Sequence, residues 1–377
     1  MTAASRKQQG EIGVAVVGTG FGKKVHIPGL KAHPGTQIVA VYNRDLDKAK
    51  EIAESNDIPN PCDNLTDILQ LPEVQAVAIS TPPFLHYEMA KQVLQAGKHV
   101  FLEKPVTLNV SEAKELYHLA KEKNLAATVD FEFRFVPGWL LFCELLAQNF
   151  VGNKRLITIN WFGSSRANPE RPWNWYSQKE KGGGALGSLG SHTFDYIHWL
   201  FGEVSRVNAH FTTAIPQRPD AATGEMKPVN TDDTCALMLE LADGTPCQVS
   251  ISAVIFAPRT HAVEVYGDEG TLILASENQK DYVHGFRVWG GKAGKPVAEI
   301  EIPNRLTFPK NYADGRISGF LRVVDQWIEA IDSGESTTPS LREGVYSQLL
   351  MDKSHESNET SNWVNVPTLD ETVNSEQ

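Results

Sequence analysis

An apolar run, Ile12–Val17, leads directly into the sequence GTGFGK at residues 18–23, and a helical pattern follows. A glycine-rich turn between a strand and a helix is typical of dinucleotide-binding folds. Gly18 permits the tight turn, and Gly20 lets the backbone approach a pyrophosphate at the helix N-terminus. Lys23 stands where the third glycine of the fingerprint would be. The alternative is a strand–helix turn that merely tolerates glycines, and the order strand, turn, helix favours the nucleotide site.

The first third of the chain alternates short apolar runs with helical patterns. Strands separated by helices form a parallel sheet with helices on both faces. We therefore predict a dinucleotide-binding domain over residues 1–130. The apolar runs that carry this prediction are Ile12–Val17, Ile38–Tyr42, Val74–Ser80, His99–Leu102 and Ala126–Phe131.

The pattern changes after residue 131, where a helical segment, Pro137–Phe150, is followed by runs of period-two alternation. The sequences DG at 243–244 and DEG at 268–270 separate such runs and are typical of hairpin turns. We predict an α/β chain whose second domain, residues 131–377, is α+β with a largely antiparallel open sheet. Prolines within Ile215–Thr231 predict a long surface loop, and the acidic sequence after Lys353 predicts a flexible tail.

Composition argues against several classes of protein. Acidic residues outnumber basic ones by 46 to 35, giving a net charge of −11, and no basic block reverses this locally, so we expect no nucleic-acid partner. The polar N-terminal residues and the lack of an 18-residue apolar run predict a cytoplasmic protein without membrane contact. The four cysteines lack CxxC or zinc spacing, which predicts reduced thiols and no metal site.

The residues that follow the second predicted strand indicate the choice of cofactor. An acid at this strand end binds the ribose 2′-hydroxyl of NAD(H), whereas a nearby arginine accommodates the 2′-phosphate of NADP(H). Asn43 stands at the expected acid position, and Arg44 follows it. These residues favour NADP(H). NAD(H) stays open, because a shift of one residue would make Asp45 the ribose ligand, and Arg44 has the alternative of a solvated arginine.

A lysine suited to proton transfer lies in the sequence EKP at 103–105, directly after a predicted central strand. Ligands of open α/β sheets bind at such carboxyl ends. Lys104 can hydrogen-bond a substrate hydroxyl there and exchange a proton with it. The alternative is a lysine that only pairs with Glu103.

A second cluster lies in the sequence GGGALGSLGSHTFD at 182–195, where a glycine run enters a helical pattern. Ser188 and Asp195 stand four residues before and three residues after His192, positions that share one helical face. A glycine-rich start lets a ligand approach the backbone. The alternative for His192 is a buried histidine with satisfied hydrogen bonds.

Taken together, these motifs make the chain resemble the glucose–fructose oxidoreductase / inositol dehydrogenase (Gfo/Idh/MocA) family over nearly its whole length. Glu-Lys-Pro combined with a later Gly-x-His-x-x-Asp is the most specific part of the resemblance. The matching segments are Val17–Gly22, Thr81-Pro82-Pro83 with His86, Glu103-Lys104-Pro105, Arg134-Phe135 with Pro137, and the glycine run with His192.

The resemblance implies an N-terminal Rossmann domain and a C-terminal α+β domain whose sheet carries the substrate site and often an oligomer contact. It implies reversible hydride transfer between nicotinamide and a sugar, an inositol or a related carbinol, by a homo-oligomer. It further implies that Lys104 and His192 are catalytic and that Glu103 lies near the nicotinamide. The residues that it places around the cofactor are Gly18, Gly20, Phe21, Gly22, Thr81, Pro82 and His86.

One departure concerns the position four residues before His192, where many catalytic members of the family have aspartate and this chain has Ser188. A serine can hydrogen-bond a ligand hydroxyl but cannot act as a charged partner. We expect Asp195 to take part of the electrostatic role as a third catalytic residue. The departure keeps open a non-catalytic dinucleotide-binding regulator on the same fold.

An aromatic segment precedes the glycine run and includes Trp173, Trp175 and Tyr176 together with Arg166 and Arg171. Aromatic faces with a few polar groups suit a sugar ring or a flat ligand. The segment therefore also permits a reductase of a planar conjugated ligand such as a bilin. The alternative is a loop whose tryptophans pack against the protein itself.

Overall fold

The apolar run Ile12–Val17 forms a strand whose six residues are all buried inside a parallel sheet. The computed structural model describes residues 10–256, 260–278 and 283–375. The chain divides into two compact units. The first unit contains the residues up to Glu132 together with Tyr312–Val345, and the second contains Phe133–Asn311 and the residues from Tyr346 onward.

In the first unit, the described residues form a six-stranded parallel sheet with the strand order β3-β2-β1-β4-β5-β6. This order is that of a Rossmann fold, in which the strand order reverses beside β1 and ligands bind at the carboxyl ends of the strands. The predicted α/β architecture is confirmed. The strands are β1 (Ile12–Val17), β2 (Thr36–Tyr42), β3 (Asn60–Cys62), β4 (Ala76–Ile79), β5 (His99–Leu102) and β6 (Ala127–Val129).

The α-helices use the caps that their sequences offer, since Asp45, Asn64 and Asn109 each accept a hydrogen bond from a backbone N–H of the helix that follows. The α-helices in chain order are α1 (Ile27–Ala32), α2 (Leu46–Asn56), α3 (Leu65–Gln70), α4 (His86–Gln95), α5 (Val110–Glu122), α6 (Pro137–Ala147), α7 (Ser191–Phe201), α8 (Arg316–Ser333), α9 (Leu341–Thr360) and α10 (Leu369–Asn374).

The segment Tyr312–Val345, which the sequence placed in the second domain, belongs to the first unit. The apolar face of α8 explains the difference. Phe320 stacks on His26 with ring centroids 4.8 Å apart, and Phe320 and Trp327 both pack edge-on against Phe101 of β5. The predicted boundary near residue 130 lies close to the observed change of unit after Glu132.

In the second unit, the strands within the described ranges form a nine-stranded sheet with the order β16-β15-β14-β13-β7-β12-β11-β8-β17. Apart from the parallel pair β7–β12, its neighbours are antiparallel, which confirms the largely antiparallel sheet. A separate hairpin joins β9 (Gln217–Pro219) to β10 (Met226–Pro228). The strands of the sheet are β7 (Lys154–Phe162), β8 (Val204–Thr212), β11 (Thr234–Leu241), β12 (Pro246–Ser252), β13 (His261–Gly267), β14 (Gly270–Ser276), β15 (Arg287–Lys292), β16 (Ala298–Ile300) and β17 (Val364–Asn365).

Two segments are more regular than the sequence predicted. The hairpin β9–β10 lies inside Ile215–Thr231, which was expected to be a loop. The expected flexible tail instead forms the end of α9, the strand β17 and α10 as far as the described residues extend. Ser357 and Asn358 accept hydrogen bonds from backbone N–H groups of β8, so polar residues that suggested disorder fix this segment to the sheet.

Among the residues placed in the structure, no α-helix has the length and apolar character needed to cross a bilayer.

Candidate active site

The glycine turn after β1 contains glycines that the fold requires and one that faces open space. Gly18 has φ +99°, and a Cβ on it would lie 2.7 Å from the backbone of Ser80 and Thr81 at the end of β4. A Cβ on Gly22 would lie 2.5 Å from Ser80 Oγ. A Cβ on Gly20 would meet no atom within 4 Å. Gly18 and Gly22 are therefore required by the fold, whereas Gly20 faces open space of the kind that a pyrophosphate needs.

A wider, π-type turn at Gly22–His26 follows Phe21 and runs into α1. Such turns are rare in proteins overall, and those that occur are often found at functional sites. The guanidinium of Arg316 lies 5.0 Å from the centroid of the Phe21 ring, so α8 covers part of this turn. Lys23, which replaces the third glycine, is exposed and leaves the turn intact.

The end of β2 carries the residues predicted to select the cofactor. The Asn43 side chain bonds the Thr19 hydroxyl and accepts from the Asp45 backbone N–H, which ties it to the glycine turn. Asp45 caps α2 and forms an ion pair with Lys48, and both contacts lower the Asp45 pKa. Arg44 is exposed beside them. The one acid that would suit NAD(H) is thus already engaged, and the arginine is the side chain presented to solvent.

His86 lies fully buried between two loops at the carboxyl edge of the sheet. Its Nδ1 lies 2.8 Å from the Pro105 carbonyl oxygen, and its Nε2 lies 2.8 Å from the Thr81 carbonyl oxygen. Burial lowers the His86 pKa, although both carbonyls favour the protonated ring. His86 therefore connects the turn after β4, which contains Thr81 and Pro82, to the loop that contains Lys104.

Glu103 and Lys104 follow β5, beside the glycine turn that follows β1, because β4 alone separates these strands. Glu103 is buried, and its Oε1 lies 2.9 Å from His26 Nε2. Burial raises the Glu103 pKa, but the hydrogen bond and charge of His26 outweigh it and leave the pKa below its ordinary value. Lys104 is half-buried. An anchored Glu103 fixes the backbone from which the Lys104 side chain extends.

Asp130, a buried acid that the motifs did not indicate, lies next to Glu103. Ligand-type atoms of His26, Glu103 and Asp130 all lie within 4.8 Å of one another. Burial and the Glu103 charge raise the Asp130 pKa well above its ordinary value. Burial raises the pKa of the neighbouring Glu132 to about 7, against the opposing effect of Lys104. The arrangement favours a protonated Asp130 beside an ionised Glu103, so the pair holds a proton close to Lys104.

In the second unit, His192 lies in the first turn of α7, after a π-type turn at Leu186–Gly190. Its ring packs edge-on against Phe133 with centroids 5.1 Å apart, and it also contacts Trp161. Only 3% of His192 is exposed. The aromatic contacts fix the plane of the imidazole and exclude most water from it.

Asp195 lies one helical turn beyond His192 and is held by a cation. Arg134 Nη2 donates to Asp195 Oδ1 at 2.6 Å, and Arg134 Nε donates to Oδ2 at 2.9 Å. Both side chains are buried. Asp195 was predicted to orient His192, and that role stays a prediction, whereas its bidentate pairing with Arg134 is observed.

Ser188, the residue that departs from the family pattern, belongs to a hydroxyl pair. Its Oγ lies 2.5 Å from the Tyr176 hydroxyl and 2.9 Å from the Gly184 carbonyl oxygen. The Arg166 guanidinium lies 3.5 Å from the centroid of the Tyr176 ring. Through its contact with Ser188, Tyr176 of the aromatic segment is thus connected to the helix that carries His192.

The glycine run before α7 packs against the protein itself. A Cβ on Gly183 would lie 2.3 Å from the Tyr176 carbonyl oxygen, and one on Gly184 would lie 2.5 Å from Asp232 Oδ1. The sequence predicts that these glycines let a ligand approach. Their first requirement is internal, because the aromatic segment folds directly over them. Trp173 behaves likewise, since its Nε1 donates to the Pro228 carbonyl oxygen at 2.9 Å.

A cavity of about 260 Å³ lies elsewhere in the first unit, between the C-terminal end of α5, β6 and the connection from α8 to α9. Lys121, Asn124 and Arg342 are among its lining residues. No predicted site residue lines it, so the candidate site is defined by the carboxyl edge of the sheet.

Comparison with known proteins decides the family. Residues 12–131 match the model described as the NAD-binding Rossmann fold of the GFO_IDH_MocA oxidoreductase family, and residues 144–366 match its C-terminal alpha/beta domain. The chain belongs to the Gfo/Idh/MocA family. The resemblance drawn from the motifs is thereby confirmed.

Relatives within the Gfo/Idh/MocA family match along nearly the whole chain. An uncharacterised oxidoreductase of Synechocystis is 54% identical over 358 residues, which cover 95% of this chain and 96% of the relative. Levoglucosan dehydrogenase of Pseudarthrobacter phenanthrenivorans is 29% identical, covering 95% of this chain and 99% of that protein. A structure of levoglucosan dehydrogenase with NADH and L-sorbose has a TM-score of 0.86 at 26% identity, covering 95% of this chain and 100% of that one. This chain therefore belongs to a nicotinamide-binding oxidoreductase family whose members include levoglucosan dehydrogenase.

Proposed function

We propose that the protein transfers hydride between a nicotinamide cofactor, NADP(H) in preference to NAD(H), and a sugar-like or inositol-like alcohol or its carbonyl. One observation carries the proposal: the Gly18–Gly22 turn and Lys104 lie at the same carboxyl edge of one sheet, after β1 and β5. Ligands of such sheets bind at this edge. The open space beside Gly20 fits a bound dinucleotide.

The division of roles follows from the side chains. A bound nicotinamide supplies or accepts the hydride. Lys104 hydrogen-bonds the substrate oxygen and gives or takes its proton, while Glu103, anchored on His26, fixes the backbone of that loop. His192 is proposed as a second catalytic residue, as the family resemblance implies. The buried carboxyls of Asp130 and Glu103 hold a proton in the vicinity of Lys104.

The preference for NADP(H) is supported by the end of β2. Asn43 adds no negative charge that would repel a 2′-phosphate, and Arg44 is exposed beside it. Asp45 is engaged by the N-terminus of α2 and by Lys48. Levoglucosan dehydrogenase has been solved with NADH, so NAD(H) is the alternative that the experiment must distinguish.

The second candidate is a dinucleotide-binding regulator without turnover. Ser188 favours it, because the residue bonds Tyr176 and supplies no charge for His192. The retention of both Lys104 and His192 opposes it. The cytoplasmic location and the homo-oligomer through the C-terminal sheet stay predictions of the sequence.

The test is a screen of sugar alcohols, aldoses, inositols, levoglucosan and L-sorbose, following NADPH and NADH absorbance in both directions. With any substrate found, Lys104→Ala should lower turnover by about 10²–10⁴, the usual contribution of a general acid–base group. Dinucleotide affinity should persist, because the phosphate turn is separate from Lys104. Lys121→Ala, an exposed lysine of α5, is the matched control. Dinucleotide binding without turnover of any substrate would favour the regulator.

A further inference from the structure

Arg166, Arg171 and Arg218 lie near one another in the second unit, around the aromatic segment. Arg218 donates from Nη2 to the Arg166 carbonyl oxygen at 2.6 Å and from Nη1 to the Asn168 carbonyl oxygen at 2.8 Å. Arg171 donates from Nη1 to the Ser165 carbonyl oxygen at 2.6 Å. Arg171 and Arg218 therefore hold the loop, and Arg166 extends from it.

The described residues offset the positive charge of this cluster only in part, since burial and the Arg171 charge lower the Arg218 pKa while the Asp233 charge opposes them. Within the ranges that the structure describes, no carboxylate lies within 4.0 Å of any of these guanidinium groups. The neighbouring acids have other partners, since Asp232 accepts from the Leu186 backbone N–H and Asp233 accepts from the Ala214 and Ile215 backbone N–H groups. Burial, together with the charges of Arg171 and Arg218, lowers the Arg166 pKa. A partly buried cation of this kind is stabilised by an anion.

A chain of contacts leads from Arg166 to the helix of the candidate catalytic histidine. The guanidinium lies over the Tyr176 ring at 3.5 Å, and the Tyr176 hydroxyl bonds Ser188 Oγ. Ser188 precedes His192 by four residues on the segment that becomes α7. Because Ser188 is uncharged, the position nearest to Tyr176 on this segment adds no repulsion toward a negative ligand.

We propose that Arg166, Tyr176 and Ser188 form a subsite for a negatively charged group of the sugar, a carboxylate or a phosphate. Arg166 binds the oxyanion through charge-assisted hydrogen bonds. The Tyr176 ring fixes the guanidinium, and Ser188 fixes the Tyr176 hydroxyl. The inference rests on the proposed function, which it deepens by making the substrate an acidic sugar or a sugar phosphate.

The experiment measures binding to the full chain saturated with NADPH, or with NADH if that cofactor binds more tightly. The probes are D-glucuronate, D-glucose 6-phosphate and D-glucose, which differ only in the group at carbon 6. At least one charged probe should bind about ten-fold or more tightly than glucose, as expected for a charge-assisted contact. The glucuronate and phosphate arms distinguish the two sources of charge. Failure of both charged probes to bind more tightly than glucose overturns the subsite.

The variants assign the preference to these residues. Arg166→Gln should remove the preference for the charged probe, whose affinity should fall about ten-fold or more toward that of glucose. Ser188→Asp should weaken binding of the charged probe relative to glucose, because the new carboxylate repels its negative group. Arg287→Gln is the matched control, because Arg287 also lies over an aromatic ring, that of Trp289, but on β15. A preference that persists in Arg166→Gln overturns the assignment.

Binding and turnover separate this inference from the proposed function. Charged probes that bind through Arg166 without hydride transfer from any sugar support the subsite and contradict the proposed dehydrogenase. Turnover of neutral sugars with no anion preference supports the dehydrogenase and overturns the subsite.

Discussion

Arg134 binds both carboxylate oxygens of Asp195 in a buried, bidentate ion pair. The two residues lie 61 positions apart in the sequence, and their geometry fixes the start of the second unit against α7. Removing one partner of a buried pair leaves the other charge uncompensated. The pairing therefore predicts a larger effect of Asp195 on folding than its position beside His192 suggested.

Asp195→Asn should lower the free energy of unfolding by about 3–5 kcal/mol, because the isosteric amide leaves the Arg134 guanidinium buried without its anion. Denaturant unfolding of both proteins measures the difference. Arg287→Ala, which breaks an exposed pair with Glu299, should change stability by less than about 1 kcal/mol. An Asp195→Asn protein of unchanged stability but reduced turnover would return Asp195 to the catalytic role that the sequence suggested.

Arg44→Ala should weaken NADPH binding about ten-fold or more and leave NADH binding unchanged, because a guanidinium contact to a 2′-phosphate is charge-assisted. Titration of each cofactor into the wild type and the variant provides both affinities. Arg322→Ala, an exposed arginine on α8, controls for a general loss of positive charge. If the wild type prefers NADH and Arg44→Ala does not alter that preference, the assignment is wrong and Asp45 becomes the ribose ligand.

His86→Phe should both destabilise the first unit and weaken cofactor binding, because it removes the ring nitrogens that lie 2.8 Å from the Thr81 and Pro105 carbonyl oxygens. An unsatisfied buried carbonyl costs about 1–3 kcal/mol. Thermal unfolding and dinucleotide titration measure the two effects. His118→Phe, an exposed histidine of α5, should change neither. Reduced stability with unchanged cofactor affinity would confine His86 to a structural role.

The buried ring of His261 should make the protein sensitive to acid. Burial lowers the His261 pKa to about 3, whereas an unfolded histidine titrates near 6.5. The folded state therefore binds fewer protons than the unfolded state between these values. The contribution is fully present above about pH 6.5 and is lost as the pH falls toward 3, by as much as about 5 kcal/mol.

His261→Phe should flatten this dependence, since phenylalanine takes no proton and can keep the stacking on Trp161, whose ring centroid lies 4.3 Å away. The variant also loses the contact between His261 Nε2 and the Tyr196 hydroxyl, which lowers its stability at every pH. The measurement is therefore the slope of the free energy of unfolding against pH. His210→Phe, an exposed histidine on β8, is the control. Equal slopes for the wild type and His261→Phe would contradict the prediction.

Elements with strong hydrophobic periodicity were predicted from the sequence. A strand without such a pattern, and the packing partners of the helices, were not. β3, Asn60–Cys62, is a half-buried edge strand with a central proline, so it carries no apolar pattern. The apolar face of α8 is visible in the sequence, but only the fold reveals that Phe320 and Trp327 cover Phe101. Periodicity indicates that a face is buried and does not indicate which sheet buries it.

The candidate site divides in the same way. Gly18, Gly20 and Lys104 are indicated by local motifs, because each lies close in the chain to the end of a predicted strand. His26 and Glu103 stand 77 positions apart, and they meet because the Gly22–His26 turn lies beside the end of β5 in three dimensions. No motif indicates that the Asp130 carboxyl lies within 4.8 Å of His26 and Glu103. Sets of this kind become visible only when the strand order brings their elements together.

The return of Tyr312–Val345 to the first unit constrains how the protein is made. A ribosome that has synthesised Glu132 has made every strand of the Rossmann sheet but not α8, so Phe101 and His26 still lack the rings that cover them. At ordinary rates of translation this interval lasts on the order of tens of seconds. During that time the second unit emerges, and its central strand β7 must itself wait for β12 and β13. The nascent chain therefore has an incomplete apolar surface in both units until these elements are made, and exposed surface of this kind favours aggregation during synthesis.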